Sequence, residues 1–163
     1  MSWKNLLATG MQTAATAVAG SLATASGVDS AWYDDLRKPS FQPPPAVFPV
    51  AWTLLYTDIA VSSAGVLGTL QEEGTDDARR AERGYRRALA VNLVLNAGWS
   101  WSFFAKKDTA LATVTAAGLA ASSADLARRA GRARSAYGIA LVPYAGWCTF
   151  ATVLSARIHQ LNS

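Results

Sequence analysis

The chain is short of the groups on which most enzyme chemistry depends. Among 163 residues it has one cysteine and one histidine. Cys148 alone cannot form an internal disulfide or a cysteine-only metal site, and its place beside Trp147 in an apolar run suits an inert buried thiol. His159 lies close to the carboxyl end and reads as a surface histidine rather than a haem ligand. No metal-ligand cluster, nucleophile–base pair or phosphate-cradling glycine loop is present, so hydrolytic and phosphoryl chemistry have nothing to rest on. Charge is scarce as well, at 16% of residues. The net charge of +4 comes from arginines grouped between apolar segments, so a solvated or headgroup-facing role explains them and nucleic-acid binding has no other support.

Where charge is missing matters more than how little there is. Mean hydropathy is only +0.14, because Ala, Ser, Thr and Gly dilute the apolar content, and by that measure a soluble helical domain is an alternative. Uncharged runs nevertheless extend from Asn5 to Val28, Pro39 to Thr57 and on past Asp58 to Gln71, Ala88 to Ala105, Thr109 to Ala124, and Ser135 to Ala156. A soluble amphipathic helix places a charge on its outer face every turn or so, whereas crossing ~30 Å of hydrocarbon takes about 20 residues without one. The pattern predicts a single all-α domain over 1–163, an integral membrane bundle of five transmembrane helices at about 6–26, 47–70, 88–104, 109–126 and 137–156. The first and fourth are rich in Ala, Thr and Ser and gain little from lipid, so neighbours must help to hold them. Gly10 and Gly20 would let the first helix approach its neighbours closely. Leu22-Ala23-Thr24-Ala25 also has the form of a signal-peptide cleavage site, but the segment before it is poor in Leu, Ile and Val.

Between the first two helices lies the densest stretch, Trp32 to Tyr56. Asp34, Asp35, Arg37 and Lys38 lead into Pro39, Pro43, Pro44 and Pro45, each fixing φ and removing a donor, so 29–45 reads as a stiff loop. Beyond Val47 the chain turns apolar, and Trp52 and Tyr56 stack on one helical face. Asp58 follows; an ionisable residue at that depth marks a functional or partner-lined position, or is wet near an interface. In the third helix, Asn92, Asn96, Trp99, Ser100 and Phe103 share a face that should look into the bundle. In the fifth, Tyr144, Trp147 and Ala151 share another, Tyr144 reading as an aromatic-belt residue and Trp147 as a deeper one. The fourth reads as a smooth packing partner without chemistry.

Three stretches resemble the TspO family of tryptophan-rich sensory and translocator proteins. Trp32, Tyr33, Leu36, Lys38, Pro39, Phe41, Pro43, Pro44, Phe48, Trp52, Thr53, Leu55 and Tyr56 match its first signature in order and spacing. Leu93, Asn96, Trp99, Ser100, Phe103 and Phe104 match a second, with Asn92 in place of a usual Gln and Trp101 in place of a common Pro, which removes an expected kink. Pro143, Tyr144, Trp147, Phe150, Ala151, Leu154, Ile158, Leu161 and Asn162 match the third, Ser155 replacing an Asn. The resemblance implies a five-helix membrane protein, often a homodimer, that binds porphyrins such as protoporphyrin IX, and in some members sterols, in a pocket closed by the first loop. It further implies that Trp32, Tyr33, Pro43, Trp52, Tyr56, Asn96, Trp99, Ser100, Trp147 and Ala151 bind ligand, without metal or resident cofactor. In the family, tryptophans at the positions of Trp52 and Trp147 are linked to light-driven porphyrin breakdown. Tetrapyrrole sensor or scavenger, transporter, and porphyrin-degrading enzyme thus stand as three functions.

Orientation follows from Lys and Arg placement across five spans. Lys4, the arginines between Arg79 and Arg87 and those between Arg128 and Arg134 fall on one side; Arg37, Lys38, Lys106, Lys107 and Arg157 fall on the other. The amino terminus is therefore expected on the cytoplasmic side of a bacterial cell membrane. Thiol labelling of intact cells carrying Ser30→Cys or Thr75→Cys should modify only the first from outside, and the reverse pattern would invert the topology.

Overall fold

The computed structural model describes residues 2–163, and among them all regular structure is helical. Seven α-helices follow in order: α1 Trp3–Val28, α2 Ala31–Asp35, α3 Val47–Glu73, α4 Asp76–Ser100, α5 Thr109–Ala133, α6 Ser135–Ala140 and α7 Val142–Asn162, with a π-helical turn, Trp101–Ala105, continuing α4. Four segments are long and apolar enough to cross a membrane: Val47–Glu73, Asp76–Ala105, Thr109–Ala133 and Ser135–Asn162. The α1 helix has the length but not the hydropathy.

The reason lies in how α1 is sided. Its buried positions are Asn5, Thr9, Thr13, Thr16, Gly20, Ala23 and Gly27, spaced at three and four, while Met11, Val18 and Leu22 stand outside. Polar groups turn inward and apolar ones outward, the reverse of a soluble helix. The inward hydroxyls are satisfied: Thr9 Oγ1 donates to its own helix and to the Ala60 carbonyl of α3 at 2.8 Å, and Asn5 Nδ2 donates to Gln71 Oε1 at 2.9 Å. Elsewhere the same siding holds, with Val91, Val94, Val114 and Val153 exposed and Asn92, Asn96, Ser123 and Ser155 buried.

Local chemistry moves several boundaries. The expected third helix begins not at Ala88 but at Asp76, because Thr75 Oγ1 accepts from Ala78 N at 3.1 Å and Asp76 and Asp77 occupy its positive first turn. Ion pairs Arg79–Asp76, Arg80–Asp77 and Arg86–Glu82 then turn the charged linker into solvated helix. Upstream, α3 stops at Gly74, whose φ of 66° lies where L side chains are strained. The expected fifth helix is two, broken at Leu141 with Pro143 in the first turn of α7, where a missing N–H costs nothing. A single helical turn, α2, precedes the prolines of the loop, capped by Ser30. Trp101 does not leave its helix straight, for the chain widens there into the π turn.

Close helix approach also differs from expectation. A Cβ on Gly10 would meet nothing within 4 Å, and one on Gly20 would sit 3.3 Å from Ser100 Oγ, but at Gly27 it would lie 2.6 Å from the Phe104 carbonyl oxygen. Gly27→Ala should therefore destabilise by about 1–3 kcal/mol, the scale of overpacking, and lower the melting temperature in detergent, whereas Gly10→Ala should leave it unchanged.

Candidate functional site

A cavity of about 530 Å³ opens between α1, α3, α7 and the end of α4, beneath the 29–45 loop. Aromatic side chains make its floor and far wall. Trp52 and Tyr56, one turn apart on α3, stack with centroids 5.5 Å apart; Trp52 continues to Trp99 at 6.1 Å, and Trp99 to Phe103 at 6.3 Å. Trp99 is held by donating Nε1–H to Ser155 Oγ at 3.1 Å. The α1 wall is small and smooth, with Ala17, Gly20, Ser21, Thr24, Ala25 and Val28, and α7 contributes Leu154, Ser155 and Ile158. A broad, flat apolar space with a few hydroxyls at its edge suits a planar aromatic molecule.

The loop borders this space with Tyr33, Gln42 and Pro45 and is held by contacts on two sides. Trp32 meets Phe103 and Tyr33 meets Phe104, each at 5.8 Å, while Phe41 rests on Phe150 at 6.3 Å. Lys107 lies over the Trp32 ring and Lys38 over Tyr33, cation–π contacts that help to fix both rings. Asn162 grips the loop backbone, accepting from Arg37 N at 2.9 Å and donating to Arg37 O at 3.0 Å. One polar atom at the lid is left over: Gln42, which lines the cavity, has an Oε1 that is buried and without a partner.

Of the ten residues expected to contact ligand, Tyr33, Trp52, Tyr56, Trp99 and Ser100 line the cavity. Trp32, Pro43, Asn96, Trp147 and Ala151 are not part of that lining. Trp147 faces Trp52 edge-on at 6.4 Å, so the two tryptophans meet, with Trp52 the one on the cavity. Asn96 is spent on the protein itself: its Oδ1 accepts from Tyr56 Oη at 2.7 Å and its Nδ2 donates to Tyr144 Oη at 3.1 Å. Tyr144 is fully buried, not in an interfacial belt, because its hydroxyl donates to Asn92 Oδ1 at 2.7 Å. Asn92 Nδ2 reaches Ser123 Oγ at 3.0 Å, and Ser123 reaches Cys148 Sγ at 3.4 Å. The result is a buried polar line from the cavity floor across α4 to α7 and α5, giving the smooth α5 helix a part that its composition did not announce.

Other contributors were missed in the sequence. Phe48, Leu154, Ser155 and Ile158 line the cavity, and the matched positions among them carried the signal without its meaning. The α1 lining was legible only as small residues recurring at three and four. Trp101 Nε1–H donates to the Ala19 carbonyl at 3.1 Å, tying the π turn to α1. His159 Nδ1 pairs with Thr109 Oγ1 at 2.9 Å rather than standing free. No group of three or more metal-ligating side chains occurs among the described residues.

In a comparison with known families, the TspO/MBR family matches residues 8–161. The chain belongs to the TspO/MBR family. It is similar to the tryptophan-rich sensory protein of Cereibacter sphaeroides, 35% identical over 133 residues covering 80% of this chain and 77% of that protein. The tryptophan-rich protein TspO of Chlorobaculum tepidum is 32% identical over 131 residues, 80% of this chain and 79% of its own. The tryptophan-rich protein TspO of Archaeoglobus fulgidus is 31% identical over an alignment of 167 positions, gaps included, that covers the full length of both. Membership and the four apolar helices make this an integral membrane protein.

Removing the Tyr144 hydroxyl would strand Asn92 Oδ1 and Asn96 Nδ2 inside the bundle. Tyr144→Phe should cost about 1–3 kcal/mol of stability, read as a lower melting temperature in detergent, although Tyr144 itself does not line the cavity.

Proposed function

We propose that this protein binds tetrapyrroles of the protoporphyrin IX type in the lidded aromatic cavity, as a sensor, scavenger or translocator. The observation that carries this reading is the continuous run Tyr56–Trp52–Trp99–Phe103 along one side of a space of about 530 Å³. That size lies within the ~300–1,000 Å³ usual for small-molecule sites, and stacked indoles match the π-face of a macrocycle. The unpartnered Gln42 Oε1 offers a bound molecule an acceptor at the lid. Within the same reading α1 is the fifth span, uncharged from Asn5 to Val28 and keeping its polar groups inside. A homodimer with its amino termini on the cytoplasmic side completes it.

A second reading, light-dependent porphyrin degradation, draws on the contact between Trp52 and both Trp99 and Trp147. Indole is a good electron donor to a photoexcited ring, and Trp52 is the member of the expected pair that lines the cavity. Trp147 acts in this scheme only through Trp52.

Titrating purified protein with protoporphyrin IX in darkness should quench tryptophan fluorescence saturably; no saturable quenching would remove the binding function. Trp52→Phe should weaken binding by no more than about 1.5 kcal/mol, roughly tenfold in Kd. Under illumination Trp52→Phe should slow porphyrin loss more than Trp147→Phe. Wild-type rates in both variants, with binding intact, would leave the degrading enzyme without its residues.

A further inference from the structure

Asp58 has no part in the cavity. It lies on α3 two residues beyond Tyr56, a step that carries it to a different side of the helix, and the cavity lining does not include it. At a rise of ~1.5 Å per residue it stands about 16 Å along α3 from Val47 and about 22 Å from Glu73. A hydrocarbon layer ~30 Å thick therefore covers it wherever α3 is centred within a few ångströms. The side chain is half-buried, and its one hydrogen bond comes from Ser62 Oγ, which donates to Asp58 Oδ1 at 2.8 Å.

Among the described residues Asp58 has no ion pair. On the helices packed against α3, Tyr85 of α4 bonds Ser63 at 3.0 Å, Tyr137 of α6 lies against Gly65, and Tyr144 and Cys148 of α7 share a core with Leu55 and Ile59, while the α4 cations Arg83, Arg86 and Arg87 stand at exposed positions, Arg86 paired with Glu82. From Asn5 to Val28, α1 carries no charge. In α5 the acid Asp125 is already paired with Arg128 and Arg129, and Arg134 lies over Tyr137, a further two turns along.

A lone carboxylate at this depth is expensive, and such residues persist where they pair, meet water or take up a proton. Pairing is absent here, and one serine hydroxyl does not replace a hydration shell. We propose that Asp58 is a proton-binding site inside the membrane: a carboxylic acid at neutral pH, open at one side to the lipid, with Ser62 as its hydrogen-bonding partner. As an acid it needs no counter-charge. Its O–H can turn to the Ser62 oxygen while its carbonyl oxygen goes on accepting, so the proton can be held and released without moving α3.

Carbodiimides test this directly. A protonated carboxyl adds its O–H across one C=N bond of the reagent to give an O-acylisourea, which rearranges to a stable N-acylurea on the same carboxyl. Protein reconstituted in lipid vesicles would be treated with dicyclohexylcarbodiimide, which enters the bilayer, or with a water-soluble cationic carbodiimide, and the modified peptide located by mass spectrometry. Asp58 is expected to react with the first at pH 7 at least tenfold faster than with the second, and labelling should fall as pH is raised. Asp58→Asn should abolish the labelled peptide while keeping the wild-type melting temperature, because the amide is a neutral isostere. Absence of labelling at Asp58 at every pH, faster reaction with the water-soluble reagent, or a large loss of stability in Asp58→Asn would each overturn the proposal, showing a carboxylate that is ionised, hydrated or paired.

Discussion

A bilayer offers no water to complete a hydrogen bond, so every polar group of this chain within it must be satisfied from inside the bundle. That constraint decides which way each helix faces. It buries Asn92 and Asn96 in α4 and Ser123 in α5, and leaves valines such as Val94 and Val114 at the perimeter. The line from Tyr56 through Asn96 and Tyr144 to Asn92 and Ser123 is its fullest expression, since each of these side chains serves as another's partner. Such a line is specific in a way that apolar packing is not: sliding one helix by a turn would break several bonds at once.

The cavity stands next to this line and depends on it. Tyr56 belongs to both, its ring forming floor and its hydroxyl anchoring on Asn96. Because that hydroxyl is tied back into the bundle, the ring is held stacked with Trp52, and the aromatic surface on the cavity is preorganised. Ser155 does the same for Trp99 through the indole N–H. The polar groups nearest the cavity thus orient its walls and leave a lining that is mostly apolar.

Much of this could be read in the chain. Missing charge located the apolar segments, and spacing of three and four put Asn92, Asn96, Trp99, Ser100 and Phe103 on one buried face. The Trp52–Tyr56 stack followed from the same periodicity; that Trp147 touches Trp52 edge-on, with no chamber between the two rings, did not. What escaped was pairing between distant segments. Periodicity says that Tyr144 and Asn96 lie on faces, not that these faces bond to each other, so Asn96 was expected at the ligand and Tyr144 at the interface. The helical start at Asp76 escaped because capping and ion pairs outweighed the linker-like run of charge. The role of Ser123 escaped because a small hydroxyl in an alanine-rich helix reads as packing until its neighbour is known.

The lid is fastened across two walls instead of being hinged on one. Through Asn162 it is bound to the end of α7, and through the Trp32–Phe103 and Tyr33–Phe104 contacts to the π turn that ends α4. These same two elements line the cavity, through Phe103 and Phe104 on one side and Leu154, Ser155 and Ile158 on the other. Spreading them pulls the fastenings apart, and drawing them together slackens both at once. Chamber width and closure are consequently one mechanical variable, and a molecule too wide for the space would lift its own cover by entering.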